Sequence, residues 1–380
     1  MEIITLARSH QIITCGAGGD SSGLGYNKTT NTTLPIQVAS FDLNAIQQIS
    51  SRNYLSCAVM ADKSVKCWGF NTYGQLGNNS TTNSIAPVNV LSLGPVQSIT
   101  TGSSSACAIT MNNTVKCWGI NTSQSGGGNS QVPVDVLNLG QVKFISAGAS
   151  HVCAITSNDT VKCWGSNIFG QLGNNSTVDS YNPVDVVNLG AVKSITSGDY
   201  HSCAITINDV VKCWGDNASG QLGNNSTIHA HAPVDVINLG TVKFVTAGGF
   251  HTCALANNNA VKCWGNNDFG QLGNNSIVTA STPVDVSNLE SVKSISGSGQ
   301  RTCAMTVNNI VKCWGSNISG QNGIGSAQNS TPVEISTNFQ VAQLFVGSDT
   351  TFLVDPSGQT YFLGQIQAWS AIPTSEILLP

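Results

Sequence analysis

Apolar and polar residues alternate along this chain in short runs, and the same four runs return about every fifty residues. One copy reads Pro183-Val184-Asp185-Val186, then Val192-Lys193-Ser194-Ile195-Thr196, then His201-Ser202-Cys203-Ala204-Ile205-Thr206, then Val210-Val211-Lys212-Cys213-Trp214-Gly215. It closes with Gly220-Gln221-Leu222-Gly223-Asn224-Asn225. Each run is rich in β-branched residues and bounded by Gly, Asn, Asp or Ser, which supply turns. None has a 3.6-residue apolar period of helical length. The pattern therefore predicts an all-β chain in which each repeat contributes four short strands, the make-up of a β-propeller blade. A linear stack of such units would need caps and would expose its edge strands, whereas a ring largely removes the edges.

The repeat covers the whole sequence. Val-Lys-Cys-Trp-Gly occurs six times, with its cysteine at Cys67, Cys117, Cys163, Cys213, Cys263 and Cys313, in steps of 50, 46, 50, 50 and 50 residues. Repeats open near Pro35, Pro87, Pro133, Pro183, Pro233, Pro283, Pro332 and Pro373, so residues 1–380 read as one repeat domain. A strand resembling Val-Lys-x-Ile followed by Cys-Ala-Ile-Thr can be placed eight times, counting degraded copies at both ends. That motif count predicts eight blades; seven would leave one terminal copy outside the ring. Met1 to Thr14 matches Val192 to Ile205 in residue type, and Ile372 to Ile377 resembles the strand that opens every repeat. The two termini are thus expected to share one blade. In the last copy Phe352 and Phe362 replace the cysteine pair, and Leu363 replaces tryptophan.

Twelve of the thirteen cysteines form six pairs ten residues apart: Cys57 and Cys67, Cys107 and Cys117, Cys153 and Cys163, Cys203 and Cys213, Cys253 and Cys263, Cys303 and Cys313. A hairpin centred on Asn208 sets Cys203 directly opposite Cys213 on one face. The Cα separation of such an antiparallel pair is close to what a disulfide spans. The alternative is a buried pair of small apolar thiols. Recurrence of both partners in six copies favours the bridge, and with it an oxidising, extracytoplasmic compartment. The opening Met1-Glu2-Ile3-Ile4-Thr5 lacks a basic segment followed by a long apolar run, so secretion implies a processed or truncated start. Two thiols per blade at this spacing do not make a zinc site, and no metal or cofactor is expected.

Composition narrows the partners. Charged residues make up 9% and the formal net charge is -4, which gives no electrostatic reason to bind nucleic acid. No stretch of eighteen apolar residues exists, so no membrane insertion is expected. There is no His-Glu-x-x-His and no calcium loop. His10, His151, His201 and His251 recur at one repeat position, and a residue repeated in register reads as a hydrogen-bonding tie between strands or blades. His229 and His231 fall out of register and read as loop polar residues without a third metal ligand. The repeated tryptophans read as packing between blades. Asn-x-Ser/Thr sites at Asn78, Asn174, Asn224 and Asn274 lie in a loop that a secretory host could glycosylate.

The string Cys-Ala-[Ile/Leu/Met]…Val-Lys-Cys-Trp-Gly-x-Asn-x-x-Gly-Gln-Leu-Gly resembles the repeat of the regulator-of-chromosome-condensation family, and is most similar to its extracytoplasmic members with cysteine pairs. The resemblance implies a β-propeller, seven-bladed in most members. Roles within the family include nucleotide exchange on a small GTPase, ultraviolet perception and β-lactamase inhibition. The exchange factor carries an inserted wedge, for which the even repeat steps here leave no room. The photoreceptor clusters tryptophans where this chain has Tyr200 and Phe250.

The expected function is a non-catalytic binding scaffold that recognises a protein or a glycan. The alternatives are a regulator of an enzyme (an exchange factor or an inhibitor) and a structural surface-array component. Loop positions that vary between copies carry aromatics: Tyr73, Phe169 and Phe269 after Cys-Trp-Gly, Tyr200 and Phe250 before the cysteine hairpin. Exposed aromatics on a polar rim are typical of interaction hot spots; the competing reading is that each ring packs on its neighbouring loop. The cysteine pairing has a direct check. Intact mass under denaturing, non-reducing conditions should show six disulfides and a single alkylatable thiol, Cys15; twelve or thirteen alkylated thiols would contradict both the bridges and the compartment.

Overall fold

A computed structural model describes residues 32–37, 46–120, 128–323 and 328–364. These residues form 28 strands in seven four-stranded antiparallel sheets. The first strand is β1 (Thr32–Gln37). Blade 1 follows with β2 (Ile46–Arg52), β3 (Leu55–Met60), β4 (Val65–Gly69) and β5 (Ser84–Asn89). Blade 2 comprises β6 (Val96–Thr101), β7 (Ser105–Thr110), β8 (Val115–Gly119) and β9 (Ser130–Asp135). Blade 3 has β10 (Val142–Ala147), β11 (His151–Thr156), β12 (Val161–Gly165) and β13 (Ser180–Asp185). Blade 4 has β14 (Val192–Ser197), β15 (His201–Thr206), β16 (Val211–Gly215) and β17 (Ala230–Asp235). Blade 5 has β18 (Val242–Ala247), β19 (His251–Ala256), β20 (Val261–Gly265) and β21 (Ala280–Asp285). Blade 6 has β22 (Val292–Ser298), β23 (Arg301–Thr306), β24 (Val311–Ser316) and β25 (Gln328–Glu334). Blade 7 joins β26 (Gln343–Val346), β27 (Thr350–Val354) and β28 (Thr360–Gly364) to β1 on its outer edge.

The ring has seven blades, not the eight of the motif count. The innermost strand of blade 7, β26, already packs on that of blade 1, β2, which leaves no gap for another blade. The termini of the ring do share a blade, but the closing strand is β1, with Ile36 opposite Phe362 and Gln37 opposite Tyr361. Met1 to Thr14 and Ile372 to Ile377, to which the sequence assigned that closure, lie outside the described residues. The prolines explain the offset between repeat and blade. Pro35, Pro87, Pro133, Pro183, Pro233, Pro283 and Pro332 all lie in the outermost strand of a blade. That strand has no partner on its outer side, so a missing N–H is tolerated there. A sequence repeat therefore begins with the last strand of the preceding blade.

All six cysteine pairs are disulfides between the second and third strands, with Cα atoms 4.0–4.1 Å apart and each cysteine directly opposite its partner. The innermost strands of neighbouring blades are not paired as a sheet. A belt of hydroxyls joins them instead: the N–H groups of Thr101, Ala147, Ser197, Ala247 and Gly297 donate to Ser50 Oγ, Thr100 Oγ1, Ser146 Oγ, Thr196 Oγ1 and Thr246 Oγ1 of the preceding blade, at 2.9–3.1 Å. Each such bond contributes about 1 kcal/mol net. Blade 7 carries Phe345 at this position, opposite Phe352, and packs against Trp68 of blade 1 through apolar contact.

Closure by β1 can be tested. Excising residues 32–37 should leave β28 as an open edge, lower the melting temperature by about 5 °C or more, and promote aggregation. An unchanged melting temperature would show that closure does not depend on this strand.

Candidate functional site

Antiparallel order fixes which loops share a face. The turns between first and second strands, and the long loops between third and fourth, emerge at one end of the ring, here the loop face. The tight hairpins between second and third strands emerge at the other, the hairpin face. All five sequence-predicted aromatics therefore lie on the loop face, but they do not form one cluster. Phe169 of blade 3 meets Tyr200 of blade 4 edge-on, ring centroids 5.4 Å apart, and Tyr200 lies 6.0 Å from Phe250 of blade 5. Tyr73 packs instead on Phe70 within blade 1, at 6.2 Å. Phe269 is half-buried at the place in blade 5 equivalent to Phe169, where the blade 6 residue matching Tyr200 is Gln300. The bland reading thus holds in part, since these rings do pack on neighbouring loops. The run Phe169–Tyr200–Phe250 nonetheless stays half-exposed across three blades.

Residues that the sequence did not assign to a binding face extend this run. His229 lies 5.1 Å from Phe169, and its Nδ1 accepts the N–H of Asn217 at 3.0 Å. Asn83 and Asp179 accept the corresponding N–H of Asn71 and Asn167 in blades 1 and 3. His229 is therefore a loop-bracing acceptor and not merely an exposed polar residue. Val178, Ile228 and Val278 occupy one position of the long loop in blades 3, 4 and 5, exposed by 72%, 78% and 70%. Sequence comparison between copies could have found them as apolar residues within an Asn/Ser/Thr loop. At the sequons, Asn78, Asn174 and Asn224 are half-buried and accept hydrogen bonds from the buried Asn71, Asn167 and Asn217. Their asparagines brace the loop.

The central channel opens between these loops. Its described cavity, about 210 Å³, is lined largely by the hydroxyl belt. A charged bar crosses it: Arg52 of blade 1 donates to Asp199 Oδ1 of blade 4 at 2.6 Å and to Ser197 O at 2.8 Å. Arg52 stands where other copies have Gly102, Gly148, Gly198 or Gly248. At Gly148, Gly198 and Gly248 a Cβ would come within 2.0–2.3 Å of the ring of His151, His201 or His251. Blade 1 has Leu55 in place of that histidine, which frees the position for arginine.

At each regular junction one main-chain carbonyl gathers the neighbouring blade. Trp118, Trp214, Trp264 and Trp314 donate their indole N–H at 2.9 Å to the carbonyl of Gln75, Gln171, Gln221 and Gln271 in the preceding blade's Gly-Gln-Leu-Gly turn. The second glycine of the turn, with φ near +70°, lies so close to the indole that a Cβ at Gly173 would meet Trp214 Nε1 at 2.8 Å. Thr252 and Thr302 donate to the same carbonyls at 2.9 and 3.0 Å. Those hydroxyls receive His201 Nε2 at 2.9 Å and His251 Nε2 at 2.8 Å; Ser202 receives His151 Nε2 at 2.8 Å. Since the hydroxyl hydrogen is directed to the carbonyl, the histidine must donate, which fixes its Nε2–H tautomer.

This Cys-Trp-Gly and Gly-Gln-Leu-Gly pairing is the repeat that the sequence comparisons detect. The RCC1-like domain profile matches residues 128–368, and profiles of the regulator of chromosome condensation (RCC1) repeat match residues 64–109 and 46–75. The chain belongs to the RCC1-like domain family. No curated protein matches its sequence. Among solved structures, Prp20p of Saccharomyces cerevisiae, reported with its binding properties to Gsp1p and histones, is similar at a TM-score of 0.71 and 19% identity, over 85% of this chain and 83% of its own. Human WBSCR16 is similar at 0.72 and 20% identity, over 84% and 86%. The ectodomain of the Physcomitrella patens receptor kinase CR4 is similar at 0.55 and 22% identity, over 83% and 72%. At these identities the likeness is one of fold.

The RCC1-like junction is modified where blade 6 meets blade 7. Arg301 stands in the histidine position, fully buried, and donates to Gly347 O, Thr351 Oγ1, Gln321 O and Asn322 Oδ1 at 2.7–3.2 Å. It takes the place of both histidine and the missing tryptophan. Burial lowers its pKa to about 9, with the Asp349 carboxylate opposing, so it stays charged at neutral pH. Among the described residues no group of three His, Cys, Asp or Glu comes together as a metal site.

The buried histidines make the RCC1-like ring acid-sensitive. Burial lowers His151 and His201 to about 3, with the Arg52 charge adding to it, and His251 to about 4. Their Nδ1 atoms have no hydrogen-bond partner that could reward protonation. In the unfolded chain they take up protons near pH 6.5. Their contribution is therefore complete above pH 6.5 and is lost as pH falls toward their folded values, each by up to about 1.4 kcal/mol per pH unit. Urea midpoints should fall steeply from pH 6.5 to 5, and His201→Gln should reduce that slope by about one third. An unaltered slope in the variant would exclude this histidine as a source.

Proposed function

We propose that this chain is a non-catalytic scaffold of an oxidising compartment, which holds a protein partner on the loop face of blades 3 to 5. The observation that carries the reading is the continuous run Phe169–Tyr200–Phe250, flanked by the exposed Val178, Ile228 and Val278. Aromatic rings alone would serve a protein or a glycan; highly exposed aliphatic side chains beside them favour a protein, whose apolar side chains can cover them. Six disulfides support the compartment. Protein binding by Prp20p lends support from the same fold, while the residues that would do the work here are this chain's own.

A photo-crosslinking amino acid at Ile228 should yield a discrete adduct with one partner, and the same residue at Leu137, on the hairpin face, should not. Phe169→Ala with Tyr200→Ala should lower adduct yield at least about tenfold, as expected of hot-spot residues, with the melting temperature within a few degrees of the parent. Adducts from Leu137 alone, or a partner lost only after periodate oxidation of its sugars, would overturn the protein-binding reading of this face.

A further inference from the structure

The opposite mouth of the channel holds a second candidate site, which the sequence comparison of copies did not single out. One position of the innermost strand carries Gln48, Ser98, Ser194 and Ser294 in blades 1, 2, 4 and 6, but Phe144 in blade 3 and Phe244 in blade 5. These phenylalanines flank the short Ser194, and the space above it is a cavity of about 560 Å³ that also includes Ile207 in its wall. Phe144 is 47% exposed and Phe244 44%, and neither belongs to the buried apolar cluster of its blade. Two aromatic rings at positions where the scaffold is content with serine are not explained by packing.

Charge around the cavity is uneven. Lys143 and Lys193 line it with a single carboxylate, Asp159. Lys143 pairs with Asp159 at 2.7 Å and Lys193 with Asp209 at 2.6 Å. Lys243, the residue before Phe244, donates instead to the amide oxygen of Asn259 at 2.6 Å. Blade 5 thus holds its lysine, the chain neighbour of the wall residue Phe244 but not itself part of the wall, by an amide where blades 3 and 4 provide a carboxylate. A cavity of this size suits a small molecule, the paired rings suit an aromatic body, and the excess of lysine suits an anionic group at its edge.

We propose that the hairpin-face mouth of the channel is a binding site for a small aromatic anion, its ring system between Phe144 and Phe244 and its acidic group toward Lys243. The site lies at the far end of the channel from the aromatic run of the loop face, and stands or falls independently of the function proposed there.

The test uses the full-length, oxidised protein with 1-anilinonaphthalene-8-sulfonate as the anionic probe and N-phenyl-1-naphthylamine as its neutral counterpart. Fluorescence titration should show one saturable site for the sulfonate. Phe144→Ser and Phe244→Ser should each weaken it at least about tenfold; serine already occupies this position in three blades, so the melting temperature should not change. Lys243→Gln should weaken the sulfonate about fivefold and leave the neutral probe unaffected. Absence of saturable binding, or affinity unchanged by either serine substitution, would overturn the site. Equal loss of both probes in Lys243→Gln would overturn the anion preference, and loss caused by Phe169→Ala would move the binding to the other face.

Discussion

At the regular junctions the carbonyl of the glutamine in the Gly-Gln-Leu-Gly turn gathers the next blade's tryptophan, and with the hydroxyl belt it holds the blades in register. The seven sheets are separate hydrogen-bonded units, so nothing in their ladders fixes one blade against the next. Apolar packing supplies most of the adhesion, but it is non-directional and would tolerate sliding. The glutamine carbonyl supplies direction. In blades 4 and 5 its two lone pairs accept an indole N–H and a threonine hydroxyl from the following blade, and that hydroxyl accepts a histidine of the blade that owns the carbonyl. The chain of donors and acceptors crosses the junction twice and pairs the buried hydroxyls of Thr252 and Thr302 as both donor and acceptor.

Departures from the pattern confirm the logic because they occur together. Where histidine becomes Arg301, tryptophan becomes Leu363 and the usual leucine of the turn becomes Asn322; Arg301 then uses the lone pair that the indole would have taken. Where histidine becomes Leu55, the next blade has Ala106 in place of a hydroxyl, and Gln48 ties the junction by bonding both the N–H and C=O of Ile99. The glycine that makes room for the histidine ring is released in the same copy, and becomes Arg52.

Local features of this fold were legible in the sequence because each is written within one repeat. Strand number, the opposition of Cys203 and Cys213, and the structural role of the histidines all follow from spacings of ten residues or fewer, or from recurrence in register. Blade count was not legible in the same way, since eight motif copies are compatible with a ring of seven, and only the contact of β26 with β2 decides it. The Arg52–Asp199 bar joins residues 147 apart in the chain and appears once, so no periodicity announces it. The aromatic run was half legible. Residue type and variability placed five candidates on one face, but which of them touch depends on the neighbour across a junction: Tyr200 beside Phe169, and Gln300 at the matching place beside Phe269.

Repetition and exception also divide labour around the ring. The full histidine–hydroxyl–carbonyl chain operates from blade 3 through blade 6, and both surfaces rich in unexplained apolar residues lie on blades 3 to 5. That coincidence has a physical reason. Recognition by a face assembled from three separate sheets requires their loops to hold a fixed spacing, because ordering them at the moment of binding would consume part of the interaction energy. Where the junction is anchored by buried directional bonds, side chains such as Phe169, Tyr200 and Phe250 are presented at set distances before any partner arrives. Blades 1 and 7 meet through Trp68 and Phe352 and through Asn53, whose N–H donates to Ser348 Oγ at 3.1 Å, without the histidine–hydroxyl–carbonyl chain. Rigidity at the junctions is thus the condition under which exceptions elsewhere in the repeat can act as a binding surface.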